Sequence, residues 1–257
     1  MNERVGSFRV FVALVAALAI SGCGSRRHVT HTSGHTSSPE ASRGAVGPSV
    51  GVAVSVGEPP PPNVEMPAAS VGTDVTLQLG LAASALVDGR ADIYSSSMSV
   101  AHEGRGGRLP SRVTLPAGAR TIEHSATGQV GCGTGEPTAG PDGGTCAGGV
   151  TNLEAADGIS GIVDGTRTQF LVGVFLAGRP PSTPPPSLDV APGQPGAAAS
   201  RAPALGQTFF LGAGATTTVP AGATELYLGF ADGWGFQGAP SYYGDNTGGF
   251  RVTLTAR

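Results

Sequence analysis

Charge is scarce in this sequence. Only 13% of its 257 residues are charged, and the formal net charge is −3. No basic cluster occurs beyond the N-terminal region, so the chain lacks the electrostatic footprint of a nucleic-acid binder. Sustained helical periodicity is also missing, apart from a weak Ala-rich stretch near Ala82 to Leu86. The 42 glycines and 21 prolines explain this, because both residues disfavour a helix interior. Such a composition suits many short strands joined by turns. Catalytic signatures are absent as well. After residue 69 the histidines are His102 and His124 alone, and no G-x-S-x-G motif accompanies them. Without a nucleophile, base and orienting group in a recognisable pattern, the reading is a non-enzyme. There is no C-x-x-C and no D-x-D-x-D-G loop, so neither a zinc ribbon nor an EF-hand is indicated.

The first thing present is an address. Arg4 and Arg9 precede the apolar stretch from Phe11 to Ile20, a positive n-region and an h-region too short to span a bilayer comfortably. The residues I-S-G-C, Ile20 to Cys23, follow and resemble the lipobox of bacterial lipoproteins. That resemblance implies a signal peptide over 1–22, acyl chains on Cys23 and a membrane-anchored product. With no aspartate after the cysteine, it implies the outer membrane or cell surface. An ordinary secretory signal with a chance cysteine is the plainer alternative. From 23 to 69 the chain is rich in Ser, Thr, Gly and Pro, a composition that cannot bury a core and predicts a flexible tether. His28, His31 and His35 lie in this tract, where no preformed geometry would hold an ion. V-G-V-A-V-S-V, Val50 to Val56, alternates like a strand and reads as a small edge element or as tether.

From about residue 70 to 257 the apolar signals become regular. Val75 to Leu81, Arg112 to Leu115 and Glu225 to Phe230 alternate at period 2. Gln169 to Leu176 is a continuous apolar run, short and β-branched, as expected of a central strand buried on both faces. Gly206 to Gly212 and Gly249 to Leu254 add two more. The architecture that fits is all-β, an antiparallel β-sandwich. In an exported chain, Cys132 and Cys146 at the ends of a short Gly/Pro-rich loop read as a disulfide; metal ligation is the rival.

An internal echo links distant parts. T-L-P-A-G-A-R-T-I starts at Thr114, and T-V-P-A-G-A-T-E-L starts at Thr218. Each is a turn signal leading into a strand and then a Gly-rich loop. If the two units pair across the sandwich, the loop after Gly128 and the loop after Asp232 emerge at the same end.

The second of those loops is D-G-W-G-F-Q-G-A-P-S-Y-Y-G-D-N, Asp232 to Asn246. Asp232, Asp245 and Asn246 supply side-chain oxygens, and the glycines let backbone carbonyls turn inward. Calcium takes such ligands in irregular geometry. The competing explanation is that Asp, Asn and Gly are ordinary turn residues.

P-S-Y-Y-G-D-N-T-G-G-F-R-V, Pro240 to Val252, resembles the C-terminal signature of the PA-IL-type calcium-dependent galactose-binding lectins, which are small β-sandwiches. The resemblance implies a calcium ion held by Asp232, by Asp245 and Asn246 as the paired ligands, by the Tyr242 carbonyl, and by a carbonyl near Gly131. That last position precedes the G-P-D-G turn, Gly140 to Gly143. It also implies a galactoside-like sugar whose vicinal hydroxyls reach the same ion, so that Asp232, Asp245 and Asn246 touch sugar through the metal. The sequence departs from the pattern twice. Seven residues, G-W-G-F-Q-G-A, separate Asp232 from Pro240, and no histidine follows the G-P-D-G turn. Trp234 and Phe236 in the insert are candidates to stack on a sugar face or to pin the loop to the core. Two functions follow. One is a surface lipoprotein with a calcium-dependent carbohydrate-binding module. The other is a structural or adhesion lipoprotein whose calcium only stiffens a loop.

Overall fold

The structure is a computed structural model that describes residues 72–257. The expected signal peptide over 1–22, Cys23, the expected 23–69 tether with its histidines and the Val50 to Val56 patch lie outside the described residues. Among those described, no helix is long and apolar enough to cross a membrane.

The described chain is nearly all β. In order, its strands are β1 (Asp74–Thr76), β2 (Ala82–Asp88), β3 (Ser111–Thr114), β4 (Thr121–Gly131), β5 (Thr138–Ala139), β6 (Thr151–Leu153) and β7 (Ile162–Asp164). There follow β8 (Val172–Leu176), β9 (Leu188–Asp189), β10 (Phe209–Phe210), β11 (Gly214–Thr218), β12 (Glu225–Gly229), β13 (Gln237–Gly238) and β14 (Thr247–Ala256). A first sheet has the order β1-β3-β12-β8-β10, and a second runs β11-β4-β14-β2 with β5 added to β4. A third, smaller sheet runs β13-β6-β7-β9.

Two apolar clusters make this a three-layer stack. Leu226, Leu228 and Phe175 of the first sheet pack with Val87, Ile122, Phe250, Val252 and Leu254 of the second. On the other face of the first sheet, Val172, Val174, Leu176 and Tyr227 pack with Leu153 and Ile162 of the third. Successive residues of β8 and β12 therefore enter opposite cores, as the two-residue period of a strand requires. This explains why all five residues of each are buried; β8 is accordingly an unbroken apolar run, whereas the period-2 reading of Glu225 to Phe230 gives way in β12 to burial on both faces. Full burial of each such Leu, Val or Phe contributes about 1.5–3 kcal/mol. Gly173 of β8 is needed for space: a Cβ there would sit 2.7 Å from the Phe209 ring.

Two expectations are corrected. Ala82 to Leu86 is not helical but belongs to β2. Ala85 and Val87 are buried and Ala83 packs against the same core, a period-2 pattern that alanine, common in both helices and strands, conceals. Val75 to Leu81 is not one strand. β1 ends at Thr76, a turn closes with the Leu81 N–H bonded to the Gln78 carbonyl at 3.2 Å, and Leu79 and Leu81 are exposed. The expected all-β antiparallel sandwich is what forms, with three short pairings, β1–β3, β13–β6 and β7–β9, running parallel at its margins.

The internal echo is built into the sheets. Thr114 of β3 lies opposite Glu225 of β12, and Thr121 of β4 lies opposite Thr218 of β11. Thr114 corresponds to Thr218 in the repeated motif, and Thr121 to Glu225. A local pseudo-twofold therefore exchanges the two units. Each P-A-G corner carries the chain from one sheet to the other. The corners meet at one end, with the Val219 N–H bonded to the Arg120 carbonyl at 2.8 Å. β4 and β12 both run away from those corners, so the loops that follow them emerge together at the other end.

Candidate functional site

The loop after β12 folds back on its start. Gly233 and Pro240 form an antiparallel bridge, and the Ser241 N–H bonds to the Asp232 carbonyl at 3.0 Å. The seven-residue insert is thereby pinched off as a side lobe, and Asp232 stands beside the Pro240 segment as if the insert were absent. The lobe has its own anchor. β13 pairs with β6, and the Glu154 N–H bonds to the Gly238 carbonyl at 2.9 Å. Residues 233–239 thus contribute a strand to the third sheet.

Tyr243 is the hub beneath the loop. It is fully buried. Its hydroxyl accepts from the Asp232 N–H at 3.1 Å and donates to the Phe230 carbonyl at 3.2 Å. Its own N–H bonds to the Arg105 carbonyl at 3.0 Å. Arg105 is held by Asp92 at 3.3 Å and Asp157 at 3.0 Å. Beside it, Gly106 adopts φ +70°, and a Cβ there would lie 2.9 Å from the Gly244 backbone. Only glycine brings these two chains so close in that conformation.

The polar centre is a pair. Asp232, 3% exposed, accepts the Gly233 N–H on Oδ1 at 2.7 Å and Asn246 Nδ2 on Oδ2 at 2.7 Å. Asn246 Nδ2 also donates to the Gly89 carbonyl at 3.0 Å. These two acceptors fix the carboxamide orientation, and its buried Oδ1 is left with no hydrogen-bond partner. Burial pushes the Asp232 carboxyl up to about 7, the bonds from Asn246 and Gly233 pull it down, and the charges of Asp245 and Asp92 raise it further. A buried carboxylate in this state gains from a nearby cation.

Asp232 opens on a pocket of about 370 Å³, at the lower end of the roughly 300–1,000 Å³ range of ligand sites. Asp245, Tyr242, Trp234 and Phe236 line it together with Cys132, Glu136, Cys146 and Ala147 of the disulfide loop. The structure thus brings five of the anticipated residues and the disulfide loop to one cavity. Asn246 lies behind Asp232. Gly131, the last residue of β4, pairs with Thr247, one residue from Asn246. Tyr242 adopts a left-handed φ of 64°, which turns the backbone sharply where a carbonyl ligand was anticipated. The insert aromatics divide: Phe236 is 4% exposed and Trp234 is 72% exposed. Trp234 stands against Tyr242 with ring centroids 4.8 Å apart.

Cys132 and Cys146 form a disulfide. Their sulfurs and the Glu136 carboxylate lie within 4.8 Å of one another, but bridged sulfurs are not thiolates and do not ligate a metal. A hard cation fits the Asp232 side of the pocket better. The carboxylates of Asp232 and Asp245 and the Asn246 carboxamide supply oxygens there, with no free thiolate or imidazole in the lining. Asp232 uses two of its roughly four acceptor positions, and the Asn246 oxygen is orphaned. Reasoning from the sequence missed Glu136, Gly89, Tyr243 and the Arg105–Gly106 brace. Tyr243 carried a signal, as an aromatic flanked by turn residues. The others arrive from loops with no pattern that points here. No protein-family model matches the chain, and no curated protein matches it.

Proposed function

We propose that the described domain is a calcium-dependent carbohydrate-binding module. The observation that carries this reading is the Asp232–Asn246 pair: a buried carboxylate and an orphaned buried carboxamide oxygen at the edge of an open, aromatic-walled pocket. Asp232, Asp245, Asn246 and backbone carbonyls at Tyr242 and near Gly131 would hold the ion, in keeping with the lectin resemblance. Bound calcium supplies a Lewis-acidic centre to which sugar hydroxyls bind in place of water. The chain's own residues do the rest. Tyr243 fixes the loop, Gly106 lets the brace approach, and the exposed face of Trp234 offers an apolar surface to a sugar ring. In the same reading, the lipobox resemblance at Cys23 makes the module a membrane-anchored lipoprotein facing the cell exterior.

Calorimetry tests the proposal. Calcium is titrated first, then methyl galactoside, in calcium and again in chelator. Calcium binding followed by sugar heat that vanishes in chelator supports the module. Calcium binding with no sugar heat leaves the loop-stiffening role, and absence of calcium binding removes both.

A further inference from the structure

The disulfide has a third group beside it. The Cys132 and Cys146 sulfurs and a Glu136 carboxylate oxygen all lie within 4.8 Å of one another. The backbone explains why Glu136 is there. Its N–H bonds to the Gly133 carbonyl at 3.4 Å, closing a turn that needs a positive φ at its third residue. Gly135 supplies it, with φ +85°, and the turn folds Glu136 back toward Cys132. The positions of the two cysteines do not depend on their bridge. Cys132 follows Gly131, which pairs with Thr247 and with Thr138. Cys146 is held through its carbonyl, which accepts from Thr168 Oγ1 at 3.1 Å, while Gly144 bridges to Thr168. Opening the S–S bond therefore leaves two thiols close together beside a carboxylate. All three residues line the pocket, so an ion can reach them. Two thiolates and a carboxylate suit zinc, which binds sulfur at about 2.3 Å and carboxylate oxygen at about 2.0–2.2 Å. Tetrahedral ligands at those lengths stand about 3.5–3.8 Å apart, so the three atoms need only small shifts.

We infer that the Cys132–Cys146 loop is a redox-gated site for a thiophilic divalent cation, zinc by the chemistry of its ligands. Bridged, the loop ligates no metal; reduced, it binds one zinc ion through Cys132, Cys146 and Glu136, with the fourth position open to the pocket. A dithiol reductant passes two electrons and two protons to the bridge and leaves as its own disulfide. Zinc then displaces both thiol protons and is held by two thiolates. This site is independent of the calcium reading, which uses oxygen ligands and applies to the bridged protein.

Cobalt is the probe, because its thiolate complexes absorb strongly by charge transfer and its all-oxygen complexes do not. The full chain is reduced with a phosphine, which leaves as the phosphine oxide with an oxygen from water, in place of a dithiol that would compete for the metal. Cobalt is expected to give the charge-transfer band at one equivalent in the reduced protein, zinc to abolish it, and the bridged protein to show none. Cys132→Ser, which keeps Cys23 and Cys146, is expected to lose the band. Glu136→Gln is expected to keep it with binding weaker by at least about tenfold. Zinc is also expected to raise the melting temperature of the reduced protein more than that of the bridged one, a readout that stands even where reduction destabilises the fold. A reduced protein without the band, a band undiminished in Cys132→Ser, wild-type affinity in Glu136→Gln, or a zinc shift no larger in the reduced protein than in the bridged one overturns the inference.

Discussion

Asn246 and Asp232 are 14 residues apart in sequence and joined by a 2.7 Å hydrogen bond in the buried wall of the pocket. The bond ties the end of the loop to its beginning. Replacing Asn246 by Ala leaves the Asp232 carboxylate and the Gly89 carbonyl without their donor. A buried acceptor without a partner costs about 1–3 kcal/mol. Denaturant titration in chelator is expected to show that loss, and calcium affinity is expected to fall in the same variant.

Asp232→Asn separates the cost of the carboxylate from its use. In chelator this variant is expected to match or exceed the wild type in melting temperature, because an amide is cheaper to bury than a charged carboxylate. In calcium the order is expected to reverse: on the proposed calcium site the wild type would gain about 2.7 kcal/mol with the ion at 100 times its dissociation constant, and the variant little. Melting curves with and without calcium read both effects.

His124 predicts an acid sensitivity away from the pocket. Its Nε2 lies 3.1 Å from the Leu211 carbonyl, its buried Nδ1 has no partner, and burial lowers its pKa from 6.5 despite backbone bonds that raise it. The unfolded chain then binds a proton more readily than the folded one. Stability contributed at neutral pH is lost as pH falls through 6.5, the direction linkage requires. His124→Gln is expected to flatten the stability profile between about pH 5 and pH 7.

The Cys132–Cys146 bridge closes a short loop, with a sequence separation of 14. A double Cys→Ser variant is expected to lose about 3 kcal/mol through greater freedom of the unfolded chain. The same loop is a wall of the pocket, so sugar affinity is expected to fall more than calcium affinity. Denaturant titration and calorimetry on the one variant check the two statements.

Gly106→Ala tests the brace. The new methyl meets the Gly244 backbone in a conformation that L-residues rarely adopt, and such strain costs of order 1–3 kcal/mol. Calcium affinity is expected to drop although residue 106 supplies no ligand. Gly104→Ala is the control, because it shares a positive φ but its Cβ meets nothing within 4 Å.

Much of the central layer was legible in the sequence. β8 announces itself because burial on two faces demands an unbroken apolar run, whereas β12, opened by Glu225, reads as a one-faced alternating strand although both its faces are buried. The repeated P-A-G motif foretold that two loops share an end. The third sheet was not legible: β6, β7, β9 and β13 are two or three residues long, too short for a period to register. They exist because neighbours supply the pairing. At the site, Asp232, Asp245, Tyr242 and Trp234 could be read from one oxygen-rich run. Glu136 and Arg105 could not, since folding alone brings their loops to it.

The exchange of strands between the repeated units has a consequence for assembly. β12 sits between β3 and β8, and β4 between β11 and β14, so neither half of the domain owns a complete sheet. Two fragments cut in the proline-rich connection after β8 would each be left with open sheet edges and only part of the pocket's lining. Mixed together, they would restore the pocket only as a pair, which makes the domain a natural scaffold for split-reporter complementation.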